Sequence, residues 1–160
     1  MKIEKQILGL AAEFAVASEL CRRNVYAQLT LGMRKRTDIL IETESGMLRV
    51  QVKAKQTGDW PNCKGIYDDD IILIFVDFEN KKDEDRPDFY ILTSQDWEDL
   101  IKKELNSHIS KGEVIINKKN IPVWPKQKNK SGKPYAGMGV KPEQIKEHKE
   151  RWDKITEMMK

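Results

Sequence analysis

Asp38, Gln51 and Lys53 are the residues whose types and spacing could do chemistry together. They lie on two neighbouring segments, Asp38–Thr43 and Leu48–Lys55. Leu48–Lys55 alternates apolar and polar residues, the mark of a half-buried strand, and Asp38–Thr43 fits the same pattern with only Leu40 out of character. The intervening Glu44-Ser45-Gly46-Met47 is an ordinary length for a hairpin connection. A four-residue loop opposes Thr43 to Leu48, and so Glu42 to Arg49, Leu40 to Gln51, Ile39 to Val52 and Asp38 to Lys53. Residues two apart on a strand share a face. Ile39, Ile41, Val50, Val52 and Ala54 therefore form an apolar face, and Asp38, Glu42, Arg49, Gln51, Lys53 and Lys55 a polar one. A slip of one residue would scramble both.

The chemistry open to that polar face is phosphodiester hydrolysis. It needs a cation to neutralise the phosphoryl oxygens and to acidify a water. Mg²⁺ is held by one or two carboxylates together with substrate oxygens, and Asp38 is the natural ligand. Lys53 can polarise the attacking water or stabilise transition-state charge. The side-chain carbonyl of Gln51 and the backbone carbonyl of Val52 are further candidate ligands. The same residues also fit a cross-strand ion pair on a solvated face, the commoner outcome for an Asp and a Lys on adjacent strands.

The elements that must position these residues are legible on both sides. Ile3, Ile7, Leu10, Phe14, Ala17 and Cys21 recur at helical spacing, predicting a helix from about Glu4 to Arg23 that Asn24 can cap. Val25–Leu31 alternates as a strand, and Gly32-Met33-Arg34-Lys35-Arg36 reads as a basic turn. Asp59–Tyr67 reads as a loop. Ile71–Phe78, an almost unbroken apolar run, predicts a central strand. Phe89–Leu92 predicts a further strand, and Thr93 or Ser94 should cap a helix reaching about Leu105. A short strand is expected at Val114–Ile116, a loop over Asn117–Val140, and a final helix over Pro142–Met159.

Three sequence words set beside this order resemble the PD-(D/E)xK nuclease superfamily. They are Gly9-Leu10-Ala11-Ala12-Glu13-Phe14, Thr37-Asp38-Ile39-Leu40-Ile41 and Val50-Gln51-Val52-Lys53-Ala54. The likeness covers roughly Gly9 to Thr93 and is greatest to Holliday-junction-resolvase-like, type IV restriction-like and group I intron homing nucleases. It implies an α/β restriction-endonuclease-like core, a mixed central sheet flanked by helices, with helix, three strands, helix and strand in order. It also implies Glu13 as an auxiliary metal or water ligand, Asp38 as the central ligand and Lys53 as the catalytic lysine, with Mg²⁺ or Mn²⁺ as cofactor. Thr37 stands where the motif's name has Pro, and Gln51 where it has an acid, which leaves one negative charge fewer. On this division residues 1–112 make the core, and residues 113–160 add a basic loop and a C-terminal helix on the same domain.

Composition bounds the partners. The 160 residues carry a formal net charge of +3, which says little until its distribution is seen. Val114–Pro142 holds no acid but includes Lys118, Lys119, Lys126, Lys128, Lys130, Lys133 and Lys141, a segment that attracts a polyanion or simply stays solvated. Arg34, Lys35 and Arg36 could contact phosphates, as could Lys55. Trp60, Tyr67 and Trp124 could stack on bases, although core packing is the commoner use of such rings. DNA is thus the expected partner, with a homodimer one way to cut both strands. No run approaches the ~20 apolar residues of a membrane span. Cys21 and Cys63 read as free thiols in a reducing cytoplasm, and no close His or Cys pairing suggests zinc. A Mg²⁺-dependent DNA endonuclease is the leading expectation. A nuclease fold without catalysis, serving as a DNA-binding or protein-interaction module, is the alternative, and an RNA-directed nuclease a third.

Overall fold

The structure is a computed structural model that describes residues 1–30 and 37–160; Arg34, Lys35 and Arg36 lie outside the described residues. Helix α1 (Lys5–Cys21) leads into β1 (Ala27–Leu29), β2 (Ile39–Thr43) and β3 (Gly46–Lys55). A short β4 (Trp60–Cys63) precedes β5 (Ile71–Asp77), β6 (Asp88–Leu92) and α2 (Ser94–Ser110). The chain closes with β7 (Ile115–Ile116), β8 (Pro122–Lys128), β9 (Pro134–Ala136), β10 (Met138–Val140), a 3₁₀ turn over Pro142–His148 and α3 (Asp153–Met158).

The architecture is α/β. A mixed five-stranded sheet runs in the order β1-β2-β3-β5-β6, with only β3 and β5 parallel. The expected helix between the third strand and the next is absent: β4, paired with β10, occupies that crossover. β5 is buried along its whole length, as its apolar run requires. Its alternate residues serve two cores. Ile72, Ile74 and Val76 pack with Ala12, Val16 and Leu20 of α1 and with Trp152 and Ile155. Ile71, Leu73 and Phe75 pack on the opposite side with Trp60, Trp97 and Leu100.

Local chemistry explains where the elements stop. Asn24 ends α1 in the left-handed region (φ 60), and Val25 N–H reaches back to Leu20 C=O at 3.0 Å. Thr93 caps α2 reciprocally, its hydroxyl accepting from Asp96 N–H and the Asp96 carboxylate accepting from Thr93 N–H at 2.8 Å. Gly65 is required by space as well as conformation. Its φ is +68, and a Cβ there would fall 1.8 Å from the Trp97 ring.

Two expectations fail for the C-terminal third. Asn117–Val140 is not a loop: it holds β8 and β9, which complete a three-stranded sheet with β7, and then β10. Pro142–Met159 is not one helix. Lys149 bridges to Tyr90 of β6, Glu150 N–H donates to Phe89 C=O, and Glu150 takes φ 57. The open edge of β6 captures backbone that its own helical period would have kept, and tertiary pairing outweighs propensity.

A polar cluster fastens this segment. Lys154 Nζ, nearly buried, donates to Ile91 C=O (3.1 Å), to the Asp96 carboxylate (2.6 Å) and to Nδ1 of His148 (2.8 Å). Burial and the Lys154 charge hold His148 below its ordinary pKa, against weaker opposition from Asp96 and Glu147. The unfolded imidazole protonates near 6.5, and the folded one only at lower pH. Stability from this group is therefore complete above the unfolded value and is lost as pH falls through the folded one. The urea midpoint should drop between about pH 7.5 and pH 5, and His148→Gln should shrink that drop by removing the titration. An equal drop in the variant would assign the acid sensitivity elsewhere.

Candidate active site

The β2–β3 hairpin turns on two residues, Glu44 and Ser45, with Thr43 opposite Gly46 and Ile39 opposite Val50. The expected four-residue loop is too long: Gly46, at φ 149, already begins β3. The shift is two residues, so each side chain keeps its face. The partners change nevertheless. Arg49 lies opposite Leu40, not Glu42, and its guanidinium grips Asp68 (2.8 Å) and Asp70 instead. Asp38 and Lys53 are not directly opposed.

Asp38 sits where β2 begins, just before the first paired residue. Its N–H donates to Val50 C=O at 2.8 Å, and its C=O accepts from Thr30 N–H at 2.9 Å. The Thr30 hydroxyl donates to the carbonyls of Thr37 (2.7 Å) and Asp38 (3.2 Å). Thr30 thus fixes the backbone that carries the carboxylate, a role of which the alternation of β1 gives no sign. The carboxylate turns to β3, where its Oδ2 accepts from Val52 N–H at 2.7 Å. A strand residue's N–H and C=O project to the same edge, so the Val52 carbonyl points to the Asp38 side as well.

Three further groups meet there. Glu13 of α1, half-buried, feels the Asp38 charge; burial and then that charge raise its pKa. Burial also raises the Asp38 pKa, against the opposing pull of the Val52 N–H and of the Lys53 charge. Lys53 stands half-buried on β3 opposite Phe75 of β5, and makes no ion pair within 4 Å among the described residues. The Gln51 side-chain oxygen is buried and has no hydrogen-bond partner among the described residues. Such a group costs ~1–3 kcal/mol unless something unseen satisfies it. Cys63, on neighbouring β4, is a buried free thiol that burial pushes up to about 12 despite the Lys53 charge nearby. It is therefore a neutral wall of the site and not a nucleophile at neutral pH.

Glu13, Asp38, Val52 and Lys53 are thus brought together, with Gln51 two residues before Lys53 on the same strand, and Lys55 is not part of the group. Its side chain is 2% exposed and paired with Asp77 (2.9 Å) and Glu79 (2.6 Å) over the Trp60 ring. A buried, doubly paired ammonium is structural, so the DNA-contact role expected for Lys55 falls away. Trp60 is core, and Trp124 is tied through its Nε1 to Gly137 C=O. Tyr67 stays partly exposed under Lys119. Lys126, Lys128, Lys130 and Lys133 are exposed along the β8–β9 hairpin and its turn, remote in sequence from Asp38.

The donor set suits a hard, oxygen-seeking cation. Asp38 and Glu13 supply carboxylates, Val52 a carbonyl, and Gln51 an oxygen that lacks a partner. No group of three or more His, Cys, Asp or Glu that could hold a metal ion exists among the described residues.

No family model matches the chain, and no curated protein does. Among solved structures it is similar to a bacterial homing endonuclease, I-Ssp6803I. The identity is 17% and the TM-score 0.42, over 58% of this chain and 71% of that one.

The raised Asp38 pKa means that burying this charge opposes folding while no cation is bound. Asp38→Asn keeps an acceptor for Val52 N–H and removes the charge. In EDTA it should unfold at higher urea than wild type, read by circular dichroism. A lower midpoint would mean that the charged hydrogen bond outweighs the desolvation.

Proposed function

We propose that the chain is a divalent-cation-dependent endonuclease that hydrolyses phosphodiester bonds in DNA. The observation that carries the reading is the partnerless, buried Gln51 oxygen beside an oriented Asp38 carboxylate and a lysine not paired to an acid. A solvated cross-strand ion pair would leave neither a buried orphan nor a desolvated carboxylate.

Asp38, Gln51 Oε1, the Val52 carbonyl and Glu13 are the groups that would hold Mg²⁺ or Mn²⁺. Bound there, the ion would neutralise phosphoryl oxygens and lower the pKa of a water. Val52 N–H holds Asp38 in one rotamer, so its free oxygen is aimed before any ligand arrives. Lys53 supplies a fixed positive charge on the same strand for the attacking water or the developing phosphorane charge. The wall formed by Cys63 adds no competing charge. The lysines of the β8–β9 hairpin, with Arg34, Lys35 and Arg36, would contact phosphates without reading sequence. A homodimer would place two such sites on one duplex. A catalytically inactive DNA-binding module is the second reading, and Gln51, one charge short of a carboxylate, is the observation that favours it. Among the described residues, no helix is long and apolar enough to cross a membrane.

Asp38→Ala should abolish plasmid cleavage in Mg²⁺ and in Mn²⁺ and remove calorimetric cation binding, with the fold retained. Lys53→Ala should keep cation binding and lose about 10²–10³ in rate, as removal of a charge-stabilising donor does. Cleavage by a folded Asp38→Ala protein, or equal loss of binding in both variants, would contradict the assigned roles.

Replacing Lys126, Lys128, Lys130 and Lys133 by Ala should flatten the salt dependence of duplex binding. The slope of log K against log salt should fall by about 0.9 for each phosphate that the variant no longer neutralises. An unchanged slope would make the hairpin a solvated surface only.

A further inference from the structure

A cleft of about 760 Å³ opens at the far end of β3, between the first turn of α1 and β4. Ile3, Leu8, Ala54 and Pro61 make it largely apolar, and Lys2 and Lys5 stand at it. It is built and not incidental. The segment before α1 is pinned just past the end of β3 by Ile3 N–H donating to Gln56 Oε1 (2.9 Å) and by Gln56 Nε2 donating to Met1 C=O (2.9 Å). Lys55 also borders the cleft, but its charge is matched by Asp77 and Glu79. Lys2 and Lys5 make no ion pair among the described residues, and the acid on the rim is Asp59. The local field is therefore positive over an apolar floor.

The cleft shares no residue with the candidate site but lies farther along two elements that carry it. Ala54 lies two residues along β3 from Val52, about 7 Å at the usual strand rise. Leu8 lies five residues before Glu13 on α1, about 7.5 Å along the helix. A chain held at Asp38 thus reaches the cleft at its next unit. Two lysines suit phosphates, and an apolar floor without an aromatic ring accepts any base face without reading it. The volume lies within the range of small-ligand clefts, ~300–1,000 Å³. A base pair has no access to such a floor while stacked in a duplex, so the occupant is an unpaired nucleotide.

We propose that this cleft is a subsite for an unpaired nucleotide flanking the scissile phosphate. Lys2 and Lys5 contact its phosphates, and Ile3, Leu8, Ala54 and Pro61 pack its base. The preferred substrate is then DNA with a single-stranded overhang or flap, not continuous duplex. This deepens the nuclease reading and rests on it for the identity of the neighbouring site, but its test does not need cleavage.

The test is fluorescence anisotropy with the full chain in EDTA, over a salt series. A duplex with a single-stranded overhang is compared with a blunt duplex of the same paired sequence. Wild type should bind the overhang form more tightly. Lys2→Ala with Lys5→Ala should remove that advantage, with the salt slope for the overhang form lower by about 0.7 per phosphate, or about 1.4 for both. Pro61→Glu, at an exposed position, should also remove it by placing a carboxylate at the floor, with both lysines intact. Neither variant should change blunt-duplex affinity. Equal wild-type binding of the two forms, or an overhang advantage that survives both variants, would overturn the subsite. Because no step is catalysed in EDTA, a protein that cuts nothing can pass this test, and a working nuclease can fail it.

Discussion

The bond from Val52 N–H to the Asp38 carboxylate sits where β2 stops pairing with β3. β3 runs on beyond its partner, and an unpaired strand amide at that edge needs an acceptor. A side-chain carboxylate takes the place of the missing backbone carbonyl. That substitution fixes the carboxylate, holds it in a partly desolvated position and turns the Val52 carbonyl to the same edge. Thr30 supports the arrangement from β1, and α1 brings Glu13 to it from the first core. The rest of the fold makes this junction rigid: β3 is clamped on its other edge by the buried β5 in parallel register.

The two faces of the sheet divide the work. One face packs an apolar core against α1 and the C-terminal Trp152 and Ile155. The other mixes a second core with the charged stripe of β3, and each member of that stripe meets a different fate. Arg49 is held by Asp68 and Asp70, and Lys55 by Asp77 and Glu79. Gln51 and Lys53, between them, are left without such partners among the described residues. The stripe is neutralised at both ends and left unsatisfied in the middle, beside Asp38. Desolvated or unpartnered groups cost stability and persist where function needs them. Elsewhere buried charge is matched: Glu19, held down to about 2 chiefly by Arg86, ties α1 to the segment before β6.

Much of this is legible in sequence because it rests on periodicity. The alternation of Ile39–Thr43 and Leu48–Lys55 yields the correct faces although the turn is two residues shorter than expected, since an even shift preserves alternation. The apolar run Ile71–Val76 marks the central strand, and Thr93 marks the cap of α2. What escapes depends on partners distant in sequence. Trp60-Pro61-Asn62-Cys63 reads as loop and becomes a strand only because Met138–Val140 pairs with it. Pro142–Met159 has a helical stripe, but β6 recruits Lys149 and Glu150. Lys55 looks like one more exposed base until Asp77 and Glu79 are seen around it. Thr30 bonds across strands through its hydroxyl, which no spacing rule announces.

On the proposed function, the Gln51 oxygen lacks a partner because it serves a cation. Calorimetric titration with Mn²⁺ and Mg²⁺ of wild type, Gln51→Ala and Gln51→Glu tests it most directly. The expected result is cation binding by wild type, weaker binding by Gln51→Ala and tighter binding by Gln51→Glu, because a full charge then faces the ion where a dipole did. Identical affinities in all three proteins, or no binding by folded wild type, would contradict it.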